Sequence, residues 1–476
     1  MQLEAVIGLE IHVQLKTKSK MFCSCPNIFG DVEPNSAICP ICLGYPGTLP
    51  VPNIQAIEWT QLAGAALGCD LAKTSKFDRK SYFYPDLPKG YQISQYDQPF
   101  CGRGLLLDVG ITRIHLEEDA AKNIHTPKAN YTLVDYNRAG TPLMEIVTEP
   151  DINSPSQAKA FLQELQRITR TLEISAADME KGQLRCDTNI SLREQGSKKL
   201  NPKTEIKNLN SFRNVERALK YEIKRQTKLF QDNKIPDQQS TRGFNADTGK
   251  TTEQRSKEEA ADYRYFPEPD IPPFVFTSKY LEQIKIDLPE LPHDKRERLL
   301  RQHDISRQHA RLLADSPALA DFFENTASEL QQLDNEQTDI DPKDLKSLVK
   351  TAANVILRYR PGRKITPVNF AEVIVLLHQG RMNKNALSPV LAEMQKTGGD
   401  PDHILQNLGL EQVSNKNDLE KIIQEVINEN EEVVAKVKAG KKSALQFLVG
   451  QVMQKTKGKA NPGLVINILK KQISNW

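Results

Sequence analysis

Val6-Ile7-Gly8-Leu9-Glu10-Ile11-His12-Val13-Gln14-Leu15 alternates strictly from Leu9 onward, which is the period of a strand with two unlike faces. Leu9, Ile11, Val13 and Leu15 fall on one face, and Glu10, His12 and Gln14 on the other. An acid and an imidazole therefore share the polar side. A second run, Ile111 to Glu118, leads into Asp119-Ala120-Ala121-Lys122, so a sheet holding both strands gathers their polar ends. Glu10 and His12 with Glu117, Glu118 and Asp119 then supply hard donors suited to magnesium. Three consecutive acids equally suit a solvated strand end, and the residues alone leave both readings open.

Between these runs lie Cys23, Cys25, Cys39 and Cys42, spaced C-x-C-x13-C-x2-C. Two close pairs on separate turns are the pattern of a structural zinc site, each pair supplying one side of a thiolate tetrahedron. The remaining cysteines, Cys69, Cys101 and Cys186, are scattered, which fits a reducing compartment better than a disulfide framework. Ser81-Tyr82-Phe83-Tyr84-Pro85-Asp86-Leu87-Pro88-Lys89-Gly90-Tyr91-Gln92 sets one lysine and one glycine among prolines and tyrosines. Rigid prolines there would fix a loop whose Lys89 offers a point charge to phosphate, or the stretch is an ordinary surface turn.

Downstream, Ser154-Pro155 starts a helix with Phe161, Leu162, Leu165, Ile168 and Leu172 as its buried stripe. Strands resume around Leu184 to Arg193. Ser211 to Phe230 is a helix on which Arg213, Arg217, Lys220, Lys224 and Lys228 recur at helical spacing. Prolines at 267, 269, 272, 273, 289 and 292 break regular structure and place a domain boundary. Beyond it the chain is helical, with Val368 to Leu377 amphipathic and a last small bundle after Asp400-Pro401, whose final helix starts at Asn461-Pro462. The expectation is α+β: a domain over 1–292 with a mainly antiparallel sheet and an inserted zinc knuckle, then two all-α domains at 293–405 and 406–476.

The 476 residues exceed what one core holds. No apolar run approaches a membrane span of about 18 residues, and Met1-Gln2-Leu3-Glu4 lacks a basic leader head; the expected location is cytoplasmic. Nine lysines and no acid follow Glu432, against a net charge of +3 overall, so the preceding residues sum to −6. A basic tail on a mildly acidic body suits a nucleic-acid contact and equally a solvated helix face. No G-x4-G-K-[ST] loop, no G-x-G-x-x-G turn and no G-x-S-x-G elbow occurs. Nothing in the chain is built to hydrolyse an amide.

Val6 to Leu15, the cysteine knuckle, Tyr84 to Gln95, His115 to Asp119, Asp135 to Leu143, Arg185 to Ser191, Glu205 to Phe212, Asp262 to Asp270 and Lys455 to Gly463 together resemble, in order, the B subunits of aspartyl/glutamyl-tRNA amidotransferases (GatB). The resemblance covers essentially the whole chain. It implies a cradle domain acting in a heterotrimer with two further subunits, the amidase A and the small C. ATP would phosphorylate the side-chain carboxylate of Glu-tRNA(Gln) or Asp-tRNA(Asn), and ammonia freed from glutamine by the amidase would displace the phosphate. It further implies Mg2+ and substrate activation at Glu10, His12, Glu117 and Glu118. Ser81, Tyr82, Tyr84, Lys89 and Gln92 would lie near phosphate or the ammonia channel, and Lys441, Lys442, Lys455, Lys457 and Lys459 would contact misacylated tRNA. Family members more often carry glycine at the position of Ala121 and histidine at that of Ala261. A rival class, a zinc-stabilised RNA-binding scaffold whose catalysis lies in its partners, differs in having no carboxylate chemistry of its own.

Overall fold

The computed structural model describes residues 2–30, 32–125, 130–257, 262–336, 342–411, 416–438, 441–456, 460 and 462–475. It comprises two compact units, Met1–Pro292 and His293–Trp476. The first is organised by an eight-stranded sheet whose centre is made of Leu3–Gln14 (β1), Val109–Glu118 (β2), Pro142–Thr148 (β3) and Leu184–Glu194 (β4), in the order β4-β1-β3-β2. Strands Thr204–Lys207, Gln239–Asn245 and Lys250–Lys257 extend it beyond β4, and Gly104–Leu106 borders β2. All pairings in it are antiparallel except that of Thr204–Lys207 with Gln239–Asn245.

Alternation along β1 separates the two faces as its sequence requires. Ile7, Leu9, Ile11 and Val13 join Met144, Ile146, Ile114 and Leu116 in one buried core. Three helices pack into that core: Ile54–Ala66, Pro155–Thr171, capped by Ser154 accepting from Gln157 N–H, and Phe212–Gln231, capped by Ser211 accepting from Asn214 N–H. A full side chain of this size removed from water stabilises by roughly 1.5–3 kcal/mol, so the core fixes which face of β1 remains open. Glu10, His12 and Gln14 are what the other face presents.

The helix Ile54–Ala66 has no counterpart among the elements expected from sequence. Its buried side is Ala56, Thr60, Gln61, Ala63 and Gly64 with Ile57, too small and polar to read as an apolar stripe. Gly64 is needed for the close approach: a Cβ there would sit 2.3 Å from Cys101 Sγ.

Every element named in the second unit is a helix among the described residues, and it holds two separate buried clusters, one around Phe323, Ile356, Phe370 and Ile374, the other around Leu419, Ile423, Leu448, Val452 and Leu469. Pro367–His378, expected as amphipathic, buries Phe370, Ala371, Val373, Ile374 and Leu376 in the core and leaves Val368 exposed. Asp400 caps Pro401–Asn407; Asn461, expected as the last cap, lies outside the described residues. The α+β class, with a mainly antiparallel sheet, a four-cysteine cluster and a helical remainder, is the one expected. Among the described residues no helix is long and apolar enough to cross a membrane.

Candidate active site

Register places the chemistry. Across β1 and β3, His12 pairs with Glu145, and across β3 and β2, Glu145 pairs with His115. Directly paired residues share a face, so Glu10, His12, Glu145, His115 and Glu117 converge on the open side of the sheet. His12 Nε2 lies 3.2 Å and His115 Nε2 3.1 Å from Glu145 Oε2, while His115 Nε2 is 3.6 Å and His12 Nε2 3.9 Å from Glu117. Two triads result, Glu10-His12-Glu145 and His115-Glu117-Glu145, each with donor atoms within 4.8 Å of one another. Glu145 belongs to both.

The donor set fits divalent cations. Neighbouring ligands of an octahedral ion at about 2.1 Å are about 3.0 Å apart, close to the two shortest separations here. The carboxylates suit Mg2+ and Mn2+, and the two imidazoles favour the softer Mn2+. Burial opposes a charge on Glu145, but His115 and His12 outweigh it and hold its carboxyl well below the usual range. Burial likewise opposes a charge on Glu117, and His115 again outweighs it and lowers the carboxyl. Glu10, less well partnered, is raised by burial and by the Glu145 charge. Burial pulls both imidazoles down, yet Glu145 and Glu117 reverse the sign, raising His12 and bringing His115 to about 9.

A pH dependence follows. With no cation bound, His115 holds its proton below about pH 9, whereas a cation needs the neutral ring. Mn2+ affinity is therefore expected to rise with pH from 6.5 toward 9, roughly tenfold per unit for each proton displaced. Calorimetric titration in buffers of differing ionisation enthalpy checks this; an affinity flat over that interval would refute it.

Lys80, on the short strand Asp78–Ser81, faces the same carboxylates. Burial disfavours its charge, but Glu117 and Glu145 keep it protonated. Its ammonium lies 4.9 Å from the Tyr263 ring centre, and Tyr82 packs edge-on to that ring at 5.8 Å. Tyr265 stacks on Tyr96 at 4.5 Å, its phenol pushed up to about 12 by burial. Ser81 ends the same strand and contributes its main chain, its N–H donating to Tyr263 C=O. Tyr84 is exposed.

Glu118 does not join the cluster. One residue past Glu117, it points through the other face of β2, where Lys89 pairs with it and Ile93 N–H donates to it at 3.0 Å. Gln92 fixes the same strand end by donating to Glu118 C=O at 2.7 Å. Glu118, Lys89, Arg79, Cys23 and Cys42 line a cavity of about 250 Å3 on that side. Asp119 also leaves the cation cluster, accepting from Gln14 and Arg185 at 2.8 Å each.

The four expected cysteines do come together, with their sulfurs within 4.8 Å of one another. Cys39 and Cys42 Sγ are 3.9 Å apart, near the roughly 3.8 Å between sulfurs of a zinc tetrahedron with 2.3 Å bonds. A thiol donated by Cys23 holds Cys42 down to about 5 against its burial, helped by the Cys39 N–H and the Lys20 charge. Lys20 is fully buried, and among the described residues its ammonium reaches Tyr136 C=O at 3.2 Å and Cys42 Sγ at 3.8 Å, with no carboxylate in reach. A buried cation without a carboxylate needs an anion beside it, and a zinc-bound thiolate provides one. Lys20→Met is expected to weaken zinc about 10- to 100-fold in competition with a chelator; an unchanged zinc affinity would show that the ammonium does not serve the site.

Of the tail lysines, Lys441 precedes the helix Lys442–Lys455, and Lys455 pairs with Glu425 at 3.3 Å and Glu429 at 2.7 Å. Lys457 and Lys459 lie outside the described residues, and nothing is described of the Lys442 side chain.

A family model for the GatB/GatE catalytic domain matches residues 5–282, and one for the GatB domain matches residues 319–473. The chain belongs to the GatB family. Curated GatB relatives match along their whole length. Proteins named as the B subunit of aspartyl/glutamyl-tRNA(Asn/Gln) amidotransferase from Dehalococcoides mccartyi and Thermotoga petrophila are 46% and 45% identical over 99% of each chain. One from Thermoanaerobacter pseudethanolicus is 45% identical over 100% of both. Among the blocks that carry the resemblance, Asp262 to Asp270 supplies the tyrosines that wall Lys80, and His115 to Asp119 divides between the two sheet faces. Ala121, where the resemblance leads one to expect glycine, is fully buried and outside the left-handed region, so its Cβ forces no change of the loop. Ala261 lies outside the described residues. Sequence reasoning missed Glu145, His115 and Lys80. Glu145 carries a usable signal: it is the one acid inside Pro142–Thr148, PLMEIVT, and a lone carboxylate in a buried apolar strand calls for partners.

Proposed function

We propose that this chain activates the substrate and transfers ammonia in a cytoplasmic tRNA-dependent amidotransferase, a heterotrimer completed by the amidase A and the small protein C. The observation that carries the reading is the paired triad sharing Glu145, which goes beyond what an RNA-binding scaffold needs. A Mg2+ pair there would neutralise the ATP phosphates and the charge that develops on the transferred group. Glu10, His12, His115, Glu117 and Glu145 would hold those cations, and Lys80 adds a fixed ammonium toward the same place. Tyr263 and Tyr265 narrow the rim and exclude water.

An oxygen of the tRNA-borne Glu or Asp side-chain carboxylate attacks the γ-phosphorus, ADP leaves, and an acyl phosphate forms. Ammonia then attacks the acyl carbon, expelling inorganic phosphate and leaving the amide. Lys89 and Glu118, with Gln92 behind them, line a cavity on the opposite face and suit an upstream part of the ammonia route. The zinc knuckle gives that wall its shape. Lysines of the tail hold the tRNA body.

Oxygen tracing tests the sequence of steps. With 18O in the side-chain carboxylate of Glu-tRNA(Gln), one labelled oxygen is expected in the released phosphate. Phosphate free of label, alongside normal amide formation, would rule out carboxylate activation.

A further inference from the structure

The cysteine cluster and the Lys89–Glu118 pair meet at one glycine. The turn Cys39-Pro40-Ile41-Cys42-Leu43-Gly44 is closed by Leu43 N–H donating to Cys39 C=O and Gly44 N–H to Ile41 C=O, both at 3.0 Å, and by Tyr45 N–H donating to Pro40 C=O at 2.9 Å. Gly44 is thereby fixed just beyond Cys42, in the left-handed region at φ +71°. Lys89 lies directly against it: a Cβ on Gly44 would sit 2.6 Å from Lys89 Cγ, 3.1 Å from its main-chain N and 3.2 Å from its Cα. Resting on the function proposed above, we propose that Gly44 is a positioning residue, through which the cysteine cluster holds Lys89 against Glu118 and keeps the ammonia route in working shape.

The pair is nearly buried, with the Lys89 and Glu118 side chains 13% and 6% exposed. Glu118 is fixed on its own strand by the Ile93 N–H and by the Gln92 amide on its C=O. The loop that carries Lys89 is braced by Leu87 N–H donating to Tyr84 C=O and Gly90 N–H to Leu87 C=O, both at 3.0 Å, but neither bond touches the lysine stem. A free stem of four carbons has many rotamers. Contact at Cγ, near its root, selects among them and so decides where the ammonium arrives. Only a residue without a side chain admits so close an approach. Cys23, Cys42, Gly44, Lys89 and Glu118 all line the same cavity, so a displaced turn shifts the wall and the pair together, and a displaced Lys89 leaves Glu118 a buried carboxylate without its cation. Gly47 supplies the contrast: it stands at φ +80° in the same arm, yet a Cβ there would meet nothing within 4 Å among the described residues.

Amidation in the reconstituted complex, with glutamine or with ammonium chloride as nitrogen source, tests the proposal, because ammonia from solvent reaches the open cation-bearing face without crossing the cavity. Gly44→Ala is expected to lower glutamine-supported amidation about tenfold or more, while ammonium-supported amidation and zinc content stay at the wild-type level. Gly47→Ala pays the same backbone strain and is expected to keep both activities. Equal losses in the two variants, or undiminished use of glutamine by Gly44→Ala, would overturn the proposal. Should Gly44→Ala lose zinc or melt early, acylation of the wild-type complex decides, with each lysine followed by mass spectrometry. After a chelator removes zinc, Lys89 is expected to react about tenfold faster while Lys80, across the sheet, keeps its rate. Lys89 equally protected with and without zinc, or equal gains at both lysines, would show that the cluster does not hold it. A wild-type complex that amidates with neither nitrogen source would refute the function itself, whereas failure of the Gly44 tests alone leaves that function intact.

Discussion

Glu145→Gln is expected to abolish ATP-dependent amidation of Glu-tRNA(Gln), by at least a hundredfold, while the amidase partner's tRNA-independent glutaminase activity persists. Both triads share this carboxylate, so a neutral isostere removes an anionic donor from each cation position at once. It also removes the group that does most to hold charge on His115 and, by hydrogen bond, on His12. Mn2+ binding to the variant is expected to be lost in parallel. Glu118→Gln is the contrasting case: Glu118 sits across the sheet with Lys89, and its replacement is expected to leave Mn2+ affinity near that of the wild type whatever it does to ammonia use. Wild-type turnover in Glu145→Gln would remove the activating site from this chain. Loss of Mn2+ binding in Glu118→Gln as well would restore that residue to the cation cluster.

The difference between these two glutamates marks what the sequence could and could not tell. Alternation in β1 put Glu10 and His12 on one face, and that holds because Leu9, Ile11 and Val13 have a core to fill. The same period-2 rule, applied to Glu117 and Glu118, separates them, but three acids in a row invite grouping by proximity along the chain. Cross-strand neighbours are another matter. Glu145 and His115 are placed by a register between strands that no local pattern states, so the partner that completes each triad emerges only from the folded sheet. The cysteine knuckle was legible because metal geometry restricts spacing, and Ser154-Pro155 because a cap and a fixed φ act within one turn. Ile54–Ala66 was not, since its buried side is made of small and polar residues that carry no hydrophobic signal.

Removing residues 410–476 is expected to weaken tRNA binding at least tenfold near 100 mM salt and to flatten its salt dependence, while the Met1–Pro292 unit stays folded. Each lysine that neutralises a phosphate contributes about 0.7–0.9 to the slope of log affinity against log salt, so the fall in slope counts the lysines in use. That number is expected to be smaller than the nine the tail carries, because Lys455 already bridges Glu425 and Glu429 and the net field it adds is partly cancelled. Exposed pairs of this kind are weak in water, but the two carboxylates beside Lys455 also repel an incoming phosphate. Lys441→Gln is accordingly expected to lower the slope by nearly one unit and Lys455→Gln by much less. The deletion also removes a self-contained core around Leu419, Leu448 and Leu469, which allows the rest of the chain to be assayed without it. A slope unchanged by the deletion would make these lysines a solvated helix face and move tRNA recognition to other surfaces, the Arg213-to-Lys228 stripe of Phe212–Gln231 first among them.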